Sequence, residues 1–142
     1  MSAASNYLEL KVLDHVLRYS AAPFVAPTTL YVGLFKNTSG NAATNLESND
    51  KTDEISATAP SAYARQTITF NAASSGSSAS AATVTFPTAG NSWGTITHVA
   101  IMDGGTAGAG NVLFWGAVTT QKTIDTGDTF SISSGNLTVS LA

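Results

Sequence analysis

Histidine is the side chain that most readily moves protons near neutral pH, and this chain has two, His15 and His98. A hydrolytic site would need one of them set between a nucleophile and an acid. Asp14 adjoins His15, but successive residues of a helix point about 100° apart, so these two do not face each other. Serine is abundant at residues 74–80, in a low-complexity run of flexible composition, and no G-x-S-x-G elbow holds a serine in place. Metal chemistry finds no better footing. Cysteine is absent. The acidic residues Glu47, Asp50, Asp53 and Glu54 lack the spacing of a calcium loop, and two distant histidines do not make a zinc site. The string GGTAGAG at 104–110 lacks the Gly-Lys-Ser/Thr ending of a phosphate loop and leads into VLFW, a strand pattern. It reads as a hairpin connection, with Asp103 and Asn111 placed to cap its turns. Asp125-Thr126-Gly127-Asp128 reads as a tight turn. Of the two tryptophans, Trp115 within VLFWGAV is expected in the core, whereas Trp93, before Gly94, is open to a surface role such as sugar binding. No catalytic, cofactor-binding or metal-ligating residue stands out, so an enzyme is not expected and no cofactor is called for.

The elements that carry these residues follow from hydrophobic period. Residues 7–19, YLELKVLDHVLRY, contain no Gly or Pro and can be capped by Ser5 or Asn6, which predicts a helix. Lys11, Asp14, His15 and Arg18 share one narrow polar face. Leu8, Leu10, Val12, Leu13, Val16 and Leu17 cover an apolar arc wider than one sheet can bury. Glu9 lies in the middle of that arc: either the first turn frays and Glu9 reaches solvent, the leading expectation because ionised carboxylates are rarely buried unpaired, or the helix is sandwiched and Glu9 has a buried partner. After Pro23 and Pro27 the period changes to two. Strands are predicted at 29–36, 64–70, 81–86, 95–102, 112–118, 122–125, 129–132 and 137–141. Short, numerous strands of this kind predict an all-β fold, an antiparallel β-sandwich or jelly roll with one N-terminal α-helix. Its expected core is Val32, Leu34, Ile68, Phe70, Val84, Phe86, Phe114 and Val139. The polar stretch 37–61 is expected to be a long loop with a role in contact, and residues 41–58 to be removable without loss of the fold.

The 142 residues fit a single domain, 1–142, and a 43% hydrophobic share can supply its core. Charged residues are only 11%, under half the usual quarter of a globular domain. Small uncharged side chains take their place, which suits surfaces that lie against other protein. A net charge of −3 provides no basic footprint for nucleic acid or an anionic membrane, and no apolar run is long enough to span a bilayer. No targeting segment is expected at MSAASNYLELK, and the sequons at Asn37 and Asn136 therefore carry little meaning.

Taken in order, YLELKVLDHVL, LYVGLF, YARQTITF, ATVTFPTA, WGTITHVAIMD, LFWGAV and TGDTFSISSGNLTVSL resemble a family of short tailed-bacteriophage virion proteins labelled tail-fibre-like. The resemblance covers nearly the whole chain except 37–61, which looks like an insertion. It implies a virion protein made in the host bacterial cytoplasm. Proteins of similar size and β composition also serve as capsid cement. A spanning fibre needs repeats or a coiled-coil shaft, and this chain has neither. The leading expectation is therefore a capsid cement or decoration protein bound to the major capsid protein and to itself. The alternative is a tail-fibre or receptor-binding subunit, with a sugar-binding module as a further possibility. The resemblance implies a homotrimer; the wide apolar arc of the helix implies self-association of some order.

Overall fold

The computed structural model describes residues 3–18 and 24–141. Its strands are β1 (Ala3–Ala4), β2 (Leu30–Phe35), β3 (Gln66–Ile68), β4 (Ser77–Ala79), β5 (Val84–Thr85), β6 (Gly94–Met102), β7 (Val112–Ile124), β8 (Ser131–Ile132) and β9 (Thr138–Ser140); its helices are α1 (Asn6–Leu17) and α2 (Ala42–Glu47). Every strand pairing is antiparallel. The fold is all-β, as the period predicts.

One layer is a five-stranded sheet in the order β1-β7-β6-β2-β3. The other is a two-stranded ribbon in which β4 pairs with β9 and β5 with β8. The backbone bond from Ser80 to Leu137 lies between those two pairings. The layers are also joined along one side. Past β3, Phe70 bridges Ser80, and Asn71 and Ala81 bond Ala79 and Thr69. Hydrogen bonds can thus be followed from β7 through β6, β2 and β3 into the ribbon.

Between the layers, Val32, Leu34, Ile68, Ile96 and Ile101 of the sheet meet Val84, Phe86, Phe130 and Leu137 of the ribbon. Alternation puts Val32 and Leu34, and Val84 and Phe86, on one face of their strands, which is why period two located them, whereas Ile96, Ile101, Phe130 and Leu137 are not among the expected core residues. Of the expected core, Val32, Leu34, Ile68, Val84 and Phe86 are buried, while Phe70, Phe114 and Val139 are half-buried and pack against the cluster. Trp93 corrects the expectation of a surface role. It is 2% exposed, its Nε1 donates to the Ser61 carbonyl at 2.8 Å, and its ring stands edge-on to Tyr63. Trp115, expected in the core, is half-buried on the opposite face of the sheet and donates from Nε1 to Glu47 Oε2 at 2.9 Å.

Two further expectations change. Residues 37–61 are an ordered insertion built on α2, so the chain has a second short helix. Leu46 packs on Phe35, Ala100, Met102 and Val112 over the outer face of the sheet, and Ile55 enters the main core. The polar residues of this stretch turn inward: Asn37 Oδ1 accepts from Ala42 N, Asp53 from Ser39 N, and Asn49 Oδ1 from Val112 N, each at 2.8–2.9 Å. Residues 74–80, flexible by composition, form a hairpin instead, with Ser74 and Ser77 exchanging backbone bonds ahead of β4. The predicted strands 112–118 and 122–125 are one strand, β7, whose register against β6 shifts between the His98–Ala117 and Ile96–Lys122 pairs.

Candidate assembly surface

Among the described residues, five of the seven exposed large hydrophobic side chains lie on α1, whose position is set by Ser5. This residue is fully buried, its backbone N–H donates to Leu113 O at 3.0 Å, and its hydroxyl donates to Val112 O. The same hydroxyl accepts from Leu8 N at 3.4 Å as the helix N-cap. β1 holds the preceding residues on the edge of β7, with Ala3 opposite Trp115 and Ala4 opposite Phe114. Leu8 is the one residue of α1 that is buried.

From that anchor the helix presents its wide arc outward. Leu10 is 65% exposed, Val12 42%, Leu13 53%, Val16 71% and Leu17 74%. Leu10, Leu13 and Leu17 follow the three-then-four spacing of a helix–helix seam. Glu9 is exposed, as expected. On the polar face, Arg18 pairs with Asp14 at 3.0 Å, and Lys11 lies 5.9 Å from the Tyr7 ring centroid. The expected helix end at Tyr19, with Pro23 beyond it, lies outside the described residues; Arg18 caps the helix by bonding Asp14 O.

The residues first considered for chemistry are dispersed. His15 stands exposed on α1, and its neighbour Asp14 is engaged by Arg18. His98 is half-buried on β6, with Nδ1 2.9 Å from Thr97 Oγ1 and its ring 6.1 Å from that of Trp115. Burial pushes its pKa down, with Asp53 pulling weakly the other way. Among the described residues no three His, Asp or Glu side chains gather as a metal site, and no helix is long and apolar enough to cross a membrane. The 104–110 string is the β6–β7 connection. Asp103 accepts from Asn111 N and Nδ2 at 2.6 and 2.7 Å, as a turn-capping residue should. Asp125 and Asp128 close their turn with Gly127 at φ 89°.

Sequence reasoning missed the clamp on that connection. Arg65 and Glu54 form a buried pair whose remaining bonds reach Tyr63, Gly104, Gly108 and Ala109. The only sequence signal was an arginine inside an otherwise strand-like run, YARQTITF.

The chain is thus an all-β sandwich with a capped helix that buries one leucine and exposes five aliphatic side chains. The family model described as "Podophage GP4 fiber I protein gp80" matches residues 3–140, and the chain belongs to that family. It is a bacteriophage virion protein of fibre type. No curated protein matches the chain.

Proposed function

We propose that this chain is a non-enzymatic subunit of a phage fibre and that it assembles with copies of itself through the apolar face of α1. The observation that carries the reading is the 42–74% exposure of five large aliphatic residues on one helix. Burying a Val or Leu side chain fully is worth about 1.5–3 kcal/mol, so covering this face yields on the order of 5–9 kcal/mol per copy, provided that the Glu9 carboxylate in the same arc keeps access to water or pairs with the neighbouring copy. Two copies together exceed the lower range, about 4 kcal/mol upward, of the entropy lost on association. In a trimer, the order expected from the resemblance, the α1 faces would meet head-to-tail around the three-fold axis and close the ring. The absence of chemistry is supported by the commitment of Asp14, Asp53, Glu54 and Asp103 to structural bonds.

The competing reading is a capsid cement protein whose partner is the major capsid protein. It rests on size, low charge and β composition, whereas the fibre reading has the family description as well. Copy number per particle separates them: hundreds on the head for cement, few and tail-proximal for a fibre. Sedimentation of the full chain against a Leu10→Ser/Leu13→Ser/Leu17→Ser variant tests the assembly surface. The variant should fold normally, because these side chains touch solvent, and sediment as a monomer. An unchanged oligomer, or a wild-type monomer at high concentration, defeats the α1 reading.

A further inference from the structure

The two-layer array has one open side. β7 is paired with β6 on either side of the register shift at 118–121, but on its other edge, among the described residues, only Ala3, Ala4 and the Ser5 N–H engage it, at Trp115, Phe114 and Leu113. The ribbon strand formed by β8 and β9 pairs with β5 and β4 on one side and with no named strand on the other. Between these two lips lies a cleft of about 160 Å³. Val99 and Phe114 form its floor, Val118 and Thr119 its β7 lip, and Ile132 and Leu137 its ribbon wall. A second, apolar recess shares Ile101, Phe114 and Val139 with it.

We propose that this seam is a strand-addition site, in which an extended, uncharged stretch of another polypeptide pairs with the β7 edge and seats one apolar side chain in the cleft. Three observations select that occupant. The edge already accepts a strand, since β1 pairs there at Phe114 and Trp115, two residues that also line the cleft. Unpaired backbone N–H and C=O groups on an edge are matched best by another main chain, the mode known as β-augmentation. No residue lining the cleft is charged, so an ionised side chain would lose its hydration there without compensation. The volume suits a single leucine or phenylalanine side chain, as cavities of about 150 Å³ take up benzene. Edges that must stay free of partners usually carry proline or several charges, and residues 116–123 carry Lys122 alone.

The register shift supplies a clean variant. Only Thr97 lies opposite residues 118–121, so those residues sit outside the regular ladder with β6. Thr119→Pro therefore removes an edge N–H at little cost to the fold. The probe is a capped peptide of alternating threonine and valine with a central leucine, ending in two lysines for solubility, titrated into the full chain. Saturable binding is expected, with amide shifts centred on residues 117–121. Thr119→Pro, and Thr138→Trp at the exposed opposite lip, should each weaken it at least tenfold without moving the unfolding midpoint. No saturation at millimolar peptide, or equal binding by a peptide N-methylated at alternate amides, overturns the proposal. So does a drop of the wild-type oligomer to monomer on Thr119→Pro, which would make the seam a contact between copies. The α1 variant leaves this assay unaffected, so the two readings fail separately.

Discussion

Arg65 grips Glu54 with two parallel bonds, Nε to Oε1 at 2.6 Å and Nη2 to Oε2 at 2.7 Å, and the two side chains are 0% and 3% exposed. The rest of the pair is equally engaged. Arg65 Nη1 donates to Gly104 O and Ala109 O at 2.6 and 2.9 Å, while Glu54 accepts from Gly108 N at 2.7 Å and from Tyr63 Oη at 3.1 Å. Tyr63 Oη in turn accepts from Leu34 N at 2.9 Å, and burial, then the Glu54 charge, push its pKa far up. One ion pair thus joins the 37–61 insertion, the approach to β3 and the β6–β7 connection.

Removing either partner leaves the other charge buried and alone. Glu54→Ala and Arg65→Ala should each cost about 3–5 kcal/mol in chemical denaturation. The double variant should cost clearly less than their sum, because the two residues act as one unit. Additive losses would mean that the pair is not coupled.

The insertion is structural as well as exposed. Leu46 is 0% and Ile55 3% exposed, so Leu46→Ala should destabilise by about 2–5 kcal/mol. Deleting 41–58 should abolish cooperative unfolding, the reverse of what its polar composition predicts. A deletion variant that melts like the parent would remove α2 from the fold's requirements.

Core truncations should rank by burial. Phe86 is 1% exposed, stacks on Tyr63 and meets Phe130 edge-on, so Phe86→Ala should cost about 3–5 kcal/mol. Phe70 is half-buried beside the apolar recess, and Phe70→Ala should cost less. Equal midpoints for the two variants would show that the layers pack differently.

Acid should loosen the insertion through Asp53. Burial raises its pKa, but bonds from Ser39, Asn45 and Thr38 outweigh that, and the net shift is downward from 3.8. A carboxylate held below its unfolded value contributes stability above that value and loses it as pH falls through the folded pKa. Stability should therefore decline below about pH 4, and Asp53→Asn should flatten that decline. A variant whose acid limb matches the parent's would assign the loss to other carboxylates.

Much of the fold was legible in the chain. Leu30, Val32 and Leu34, or Val84 and Phe86, alternate, and a strand with one buried face has no other way to hide such residues. The amphipathic stretch after Ser5 could only be a helix. Its excess of apolar surface was already written in Leu10, Leu13, Val16 and Leu17. Chain-local rules also placed the Asp103–Asn111 and Asp125–Asp128 turns, where each partner is within a few residues.

What remained hidden depends on contacts between distant segments. The insertion looked like a loop because Leu46 and Ile55 share no period, and its Asn and Asp side chains satisfy backbone that only the fold brings near. Trp93 looked available because burial of its ring involves Tyr63 and Ser61, neither of them a sequence neighbour. Arg65 and Glu54 are separated by a turn that no local pattern announces. The sequence by itself determined the strands, the capped helix and the surplus apolar face. Tertiary structure decided which polar residues turn inward and where the two layers fail to close, because hydrogen-bond satisfaction and cavity filling belong to the whole packed chain.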